Sequence, residues 1–267
     1  MLGNRMSRVA QVVSLAMCLV FVTAAVAQDI SALYDSQKHT FEVGPEISYM
    51  KYSEPDVMEQ KGVMYGVAAS YIYRDSAEST MLRLDGRVGW GQMDYDGQLM
   101  DGTPYSSAGD DEFTYEVRGL AGWDFANETA RATPYVGFGY RFLEDDSSDD
   151  PAGYKRQSNY LYVPLGLEFL FPSKGVWSLG AMMEFDILLW GTQDSDIGGA
   201  YGNVSNNQHD GTGMKASVRL QKKGNKADTV IEPFVRLWTI NDSEESEGLY
   251  EPKNRSVEVG LRLSWKF

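Results

Sequence analysis

The chain has 267 residues, a formal net charge of −14, two histidines and a single cysteine. One cysteine excludes a disulfide framework, and two histidines with no His-x-x-x-His or Glu-x-x-His pair leave zinc and serine-nucleophile chemistry without candidates. The acidity disfavours nucleic acid and anionic headgroups as direct partners.

Asn4, Arg5 and Arg8 make a basic start, Val9 to Val22 is apolar, and Ala25-Val26-Ala27 is a small-x-small site before Gln28. Residues 1–27 therefore read as a secretory signal peptide. The apolar run is short of the roughly 20 residues a spanning helix needs. Cys18 lies within it, so the mature chain has no thiol. Residues 28–40 are expected to form a periplasmic N-terminal segment, and 41–267 one β-domain.

From residue 41 onward, apolar side chains recur at every second position, the period of a β-strand with one apolar face. The pattern predicts strands over 41–49, 65–73, 82–90, 113–125, 136–142, 161–171, 177–189, 214–220, 231–237 and 257–267. Ten is an even number, as bacterial transmembrane barrels require, so the expected fold is an all-β, antiparallel transmembrane barrel. A mean hydropathy of −0.36 fits, because a spanning strand needs apolar residues only at alternate positions.

The connections alternate in length. Residues 74–79, 126–132, 172–175 and 222–228 are tight; 51–61, 92–112, 143–158, 191–212 and 241–255 are longer. Short periplasmic turns and long extracellular loops have this asymmetry, which puts both termini in the periplasm and the barrel in the outer membrane of a Gram-negative cell. Pro45, Pro134 and Pro233 fall early in outward-running strands, where a missing donor is tolerated. Pro164 lies deeper and suggests a bulge.

The polar face carries Glu42, Glu46, Asp85, Glu116, Glu168, Glu184, Asp186, Glu232 and Glu258 against Arg83, Arg87, Arg118, Arg141, Lys215, Arg219, Arg236, Arg262 and Lys266. Charges crowded into a lumen must pair, because an unpaired buried charge costs several kcal/mol. The balance favours polar-in, apolar-out, with Tyr73, Trp90, Trp123, Phe125, Phe171 and Trp177 as interfacial aromatics. So many long ionisable groups would largely plug a narrow barrel, leaving at most a thin water path. The five long connections carry the whole net negative charge of the mature chain. They are expected to be solvated tips, with Ca²⁺ binding as the sharper alternative. The implied partners are outer-membrane lipids, lipopolysaccharide, periplasmic chaperones and the barrel assembly machinery, for a monomer.

Three resemblances bear on these expectations. The final strand, ending Trp265-Lys266-Phe267, resembles the terminal aromatic signal that outer-membrane proteins present to their assembly machinery, although Arg262 stands where the family places glycine. Asp94-Tyr95-Asp96 after the third strand, and Asp194 and Asp196 after Trp190, resemble loop acids of the ten-stranded omptin proteases. In that family an Asp-x-His in the fourth loop faces the second-loop acids. Here Gly198 occupies the histidine position, and His209-Asp210 comes later in reversed order. Tyr160 to Phe267 is similar to uncharacterised outer-membrane β-barrel proteins, including Trp190-Gly191, Asn206-Asn207-Gln208, Glu232-Pro233-Phe234, Trp238 to Ser243 and Glu251-Pro252-Lys253-Asn254. The expectation is a non-enzymatic barrel serving envelope structure, adhesion or a narrow solute path. The alternative is a hydrolase of peptide or lipid A using Asp94, Asp96, Asp196 and His209.

Overall fold

The computed structural model describes residues 37–99, 102–127, 129–150, 153–171, 175–198 and 202–267. The expected signal peptide lies outside them. The strands are β1 (His39–Glu54), β2 (Met58–Asp75), β3 (Thr80–Gln98), β4 (Pro104–Trp123), β5 (Phe125–Ala126), β6 (Arg131–Asp146), β7 (Lys155–Phe171), β8 (Trp177–Gly198), β9 (Gly202–Gln208), β10 (Gly211–Lys222), β11 (Asp228–Ile240) and β12 (Asn254–Lys266). β5 is the continuation of β4 past Asp124, and β9 and β10 lie along the two ends of β8, interrupted at His209 and Asp210. The twelve segments thus make ten spanning strands. Each pairs antiparallel with its neighbour, and β1 pairs with β12 to close the barrel. At the seam Phe267 N–H donates to Phe41 O at 2.8 Å and Phe41 N–H to Phe267 O at 3.2 Å. Trp265 is 41% exposed and Phe267 53%, so both present their rings outward.

The alternation resolves into two faces. Leu84 is 55% exposed, Phe138 64% and Met183 65%, while the polar residues between such positions are buried. A closed wall of exposed Leu, Val, Phe and Trp around buried Glu and Arg is stable only in hydrocarbon, where the strands satisfy one another's backbone groups.

Three of the five long connections, 51–61, 92–112 and 191–212, are strand for most of their length; 143–158 is strand at both ends, and 241–255 stays outside the strands until Asn254. β1 and β2 are joined by residues 55–57 alone, and β3 runs to Gln98 before β4 begins at Pro104. The strands continue as tall hairpins past the apolar belt. The sequence pattern stops where the outward face becomes polar, because both faces then carry polar residues and period two loses its contrast. The hairpins stand at one end of the barrel, the hairpin end; the short turns and the C-terminus stand at the other, the turn end.

The prolines sit where ladders lapse. The β1–β12 register skips from Val43↔Trp265 to Glu46↔Arg262 around Pro45, and β10–β11 skips from Ser217↔Phe234 to Leu220↔Ile231 around Pro233. Pro134 faces the break between β4 and β5. At Pro164 the expected bulge is instead a gap in the β6–β7 register, from Val136↔Leu165 to Gly139↔Tyr162. The bulge itself lies in β8, where Leu189 is the extra residue opposite Leu161 and Tyr162. Each lapse is where the ring removes a donor from the ladder.

Candidate functional site

The lumen is layered. Nearest the turn end, Met81, Leu120 and Tyr135 form a small apolar cluster. Through the belt runs an ionic network. Glu46 accepts from Arg87 at 2.7 Å, Arg262 at 2.9 Å and Arg236 at 3.4 Å. Glu258 accepts from Arg87 at 2.8 Å, Arg236 at 3.0 Å and the Ser48 hydroxyl at 2.7 Å. Arg219 joins Glu42 (2.6 Å) to Glu232 (2.8 Å), and Arg118 joins Asp85 (2.6 Å) to Glu184 (2.7 Å). Arg83 bridges Asp85 and Glu168 at 2.7 and 2.9 Å. Lys215 lies 2.6 Å from Glu116 and 3.3 Å from Glu184, and the Tyr162 hydroxyl donates to Glu116. Arg141 packs over the Trp238 ring at 5.6 Å. A lumen cavity of about 50 Å³ among these groups has room for only a few waters.

Two glycines make room for the aromatic members. A Cβ on Gly139 would lie 2.2 Å from the Tyr162 ring, and one on Gly166 would lie 2.1 Å from the Tyr135 ring. Each tyrosine lies across the neighbouring strand's glycine and thereby reaches its carboxylate, Tyr135 donating to Glu184 at 2.8 Å.

Above the ions is an apolar layer that the strict alternation does not foreshadow. Met50, Met64, Met93, Leu143, Tyr160, Tyr162, Leu188, Trp238 and Ile240 are buried together on the inward face. They close the barrel beneath the hairpins.

Over this layer the hairpins form a cup with a cavity of about 440 Å³. Its floor is built on Arg156, which is 9% exposed. Arg156 donates to Asp145 Oδ2 from Nη2 at 2.8 Å and Nε at 3.1 Å, to Glu54 Oε1 at 2.9 Å and to Gln60 Oε1 at 3.1 Å. Gln60 donates in turn to Asp145 at 2.9 Å, and Tyr52 to Glu54 at 3.0 Å. The connection after β11 folds over the mouth. Asn206 Nδ2 donates to the carbonyls of Glu244 (3.1 Å) and Leu249 (3.0 Å), and Glu244 N–H donates to Asn207 O at 2.9 Å. This connection carries Glu251 into the cup, 3.9 Å from Arg156 Nη1, with Oε1 buried and without a hydrogen-bond partner. Burial first, and then the charge of Glu54, push its carboxyl up to about 8. Burial also raises Asp110 on the cup wall.

The solvated-tip expectation is corrected here. Asp110, Glu112 and Asp145 belong to strands and are buried, because the period-two alternation continues inward along the hairpins. Only the last cluster, Asp242 to Glu247, is mostly exposed. The cup residues were missed for the same reason. The available signal was Glu54, Gln60, Asp110, Glu112, Asp145 and Arg156, all in phase with the lumen face of their strands.

The residues of the hydrolase alternative are dispersed. Asp94 and Asp96 point out of β3 into solvent, and Asp196 out of β8. His209, at the break between β9 and β10, lies 3.6 Å from Glu244 rather than beside the β3–β4 hairpin acids. Asp94 accepts from Gly109 N–H at 3.3 Å. Among the described residues, no hydrogen bond or ion pair joins any two of the four. Nor does any group of three or more His, Cys, Asp or Glu side chains there form an arrangement that could hold a metal ion.

No protein-family model and no curated protein matches the chain. Solved structures do. The chain is similar to the outer membrane protease OmpT of Escherichia coli, with 11% identity, a TM-score of 0.52, and 86% of this chain and 96% of that one aligned. The translocator domain of the autotransporter NalP from Neisseria meningitidis also matches, at 13% identity and a TM-score of 0.44 over 98% of each chain. So does the transport unit of the autotransporter AIDA-I from Escherichia coli, at 11% and 0.43 over 95% of this chain and 98% of that one. At 11% identity the likeness to OmpT is one of fold: the chain has the closed antiparallel barrel of that outer-membrane protein.

Proposed function

We propose that this protein is a non-conducting, non-catalytic outer-membrane barrel that works at its outward mouth, as a surface binding or adhesion protein. One observation carries the reading. At belt level the lumen is filled by interlocked ion pairs and sealed above by a methionine–aromatic layer, while the open space lies in the cup between the hairpins. In this reading the turn end and both termini face the periplasm, and the hairpins face the exterior. The belt meets outer-membrane lipid and lipopolysaccharide, and Trp265 and Phe267 on β12 serve the assembly machinery. The filled lumen argues for capture over a solute path, and the dispersal of Asp94, Asp96, Asp196 and His209 argues for binding over hydrolysis. The test has two parts. Planar bilayers holding the purified protein are expected to show no discrete conductance steps. The Ser243→Cys variant is expected to react with an impermeant maleimide on intact cells. Regular conductance steps, or labelling only after lysis, would sink the reading.

A further inference from the structure

The cup has more acid than its single arginine can neutralise. Glu54 and Asp145 are joined to Arg156, whereas Asp110 also lines the cavity, and Glu251, 7% exposed, has an Oε1 without a hydrogen-bond donor, 3.9 Å from the same arginine and beside the Glu54 carboxyl. A buried polar oxygen without a donor is costly unless a ligand or water supplies one. Besides polar side chains such as Gln60, Gln98 and Asn206, the lining holds four tyrosines, Tyr95, Tyr105, Tyr154 and Tyr250. Tyr95 and Tyr105 are tilted against one another with centroids 6.0 Å apart. The volume, about 440 Å³, falls within the range of small-molecule pockets.

We infer that the cup binds a small arylalkylamine, its ammonium held by the carboxylate of Glu251 and its ring by the tyrosines of the wall. An ammonium supplies the donor that Glu251 lacks and balances the surplus charge. A tyrosine face attracts a cation as well as a ring. The groups facing Glu251 are Glu54 and Tyr52 from β1, Asp145 from β6, Arg156 and Tyr160 from β7, and Tyr154. Only Arg156 among them is cationic, and it is bound to Glu54 and Asp145 at 2.9 and 2.8 Å but stands 3.9 Å from Glu251. An arriving amine therefore favours ionised Glu251, so binding releases a proton at neutral pH and tightens as pH rises from 6 to 9.

The inference rests on the binding function proposed above and is tested separately from it, on purified full-length protein folded in detergent. Tyramine is titrated calorimetrically, with 4-ethylphenol as its uncharged counterpart. Tyramine is expected to bind about 10-fold or more tighter, the scale of one hydrogen bond to a charged group. At pH 7, comparison of buffers with different ionisation heats should show proton release. Glu251→Gln should abolish the preference for tyramine while leaving 4-ethylphenol binding and heat-modifiable gel mobility unchanged. Equal affinities, or a preference that survives Glu251→Gln, would overturn the inference. If the variant does not fold, the wild-type profile decides: a preference that does not grow between pH 6 and 9 also overturns it. Conductance or labelling failures bear on the barrel's function, whereas loss of the amine preference bears only on the cup's ligand.

Discussion

Lys215 is the point at which the lumen is most sensitive to a single change. Its ammonium lies 2.6 Å from Glu116, 3.3 Å from Glu184 and 4.0 Å from Asp186, with 5% of the side chain exposed. At an effective dielectric of about 20, each contact is worth on the order of 4–6 kcal/mol before desolvation. Taking the lysine out of water offsets most of that gain. Lys215→Met keeps the stem's volume but strands the carboxylates, and removing one side of a buried ion pair costs about 3–5 kcal/mol. The loss is expected in urea unfolding of protein folded into lipid, followed by tryptophan fluorescence and gel mobility. Asp186 supplies the control. Both its oxygens lack hydrogen bonds, so its charge is supported chiefly by Lys215, with Arg118 as the weaker second cation. Asp186→Asn in the Lys215→Met background should therefore recover about 1–2 kcal/mol, a coupling typical of contacting residues. If Lys215→Met unfolds within about 0.5 kcal/mol of wild type, or if Asp186→Asn has the same effect in both backgrounds, the account of the lumen as one coupled network fails.

Three further outcomes follow from the geometry. Gly139→Val should displace Tyr162 from Glu116 and Lys215 and cost about 1–3 kcal/mol as overpacking, read in the same unfolding assay. Arg156→Met should leave Glu54 and Asp145 buried without their cation and loosen the hairpin end, seen as faster amide exchange in β1, β6 and β7; adding Asp145→Asn should slow it again. Glu251 is held up to about 8 in the folded chain against 4.5 when free, so its contribution is fully present below about pH 4.5 and is lost as pH rises through 8. Exchange in residues 241–253 should accelerate over that window in the wild type and not in Glu251→Gln.

The outward face was legible in the sequence because hydrocarbon makes the same demand of every strand. From Phe41 to Phe267 each spanning segment meets it with alternate apolar residues, and those positions give the strand count and the inward phase of Glu46, Arg87, Glu258 and the other lumen charges. The prolines were legible as irregularities, though not which ladder each would interrupt. The inward face is decided by neighbours that sequence spacing does not reveal. Tyr162 reaches Glu116 because Gly139 lies beside it on β6, and Arg87 meets Glu46 and Glu258 only once β1 has closed on β12. Beyond the belt the strands gave no contrast between faces, so the cup was hidden among segments that read as acidic loops. The sequence by itself therefore determined the barrel, its strands and which side of each faces lipid, since one solvent acts on all of them alike. Only the tertiary structure decided which charges pair, where the lumen is sealed and that Glu251 enters the cup, because those depend on distances between residues far apart in the chain.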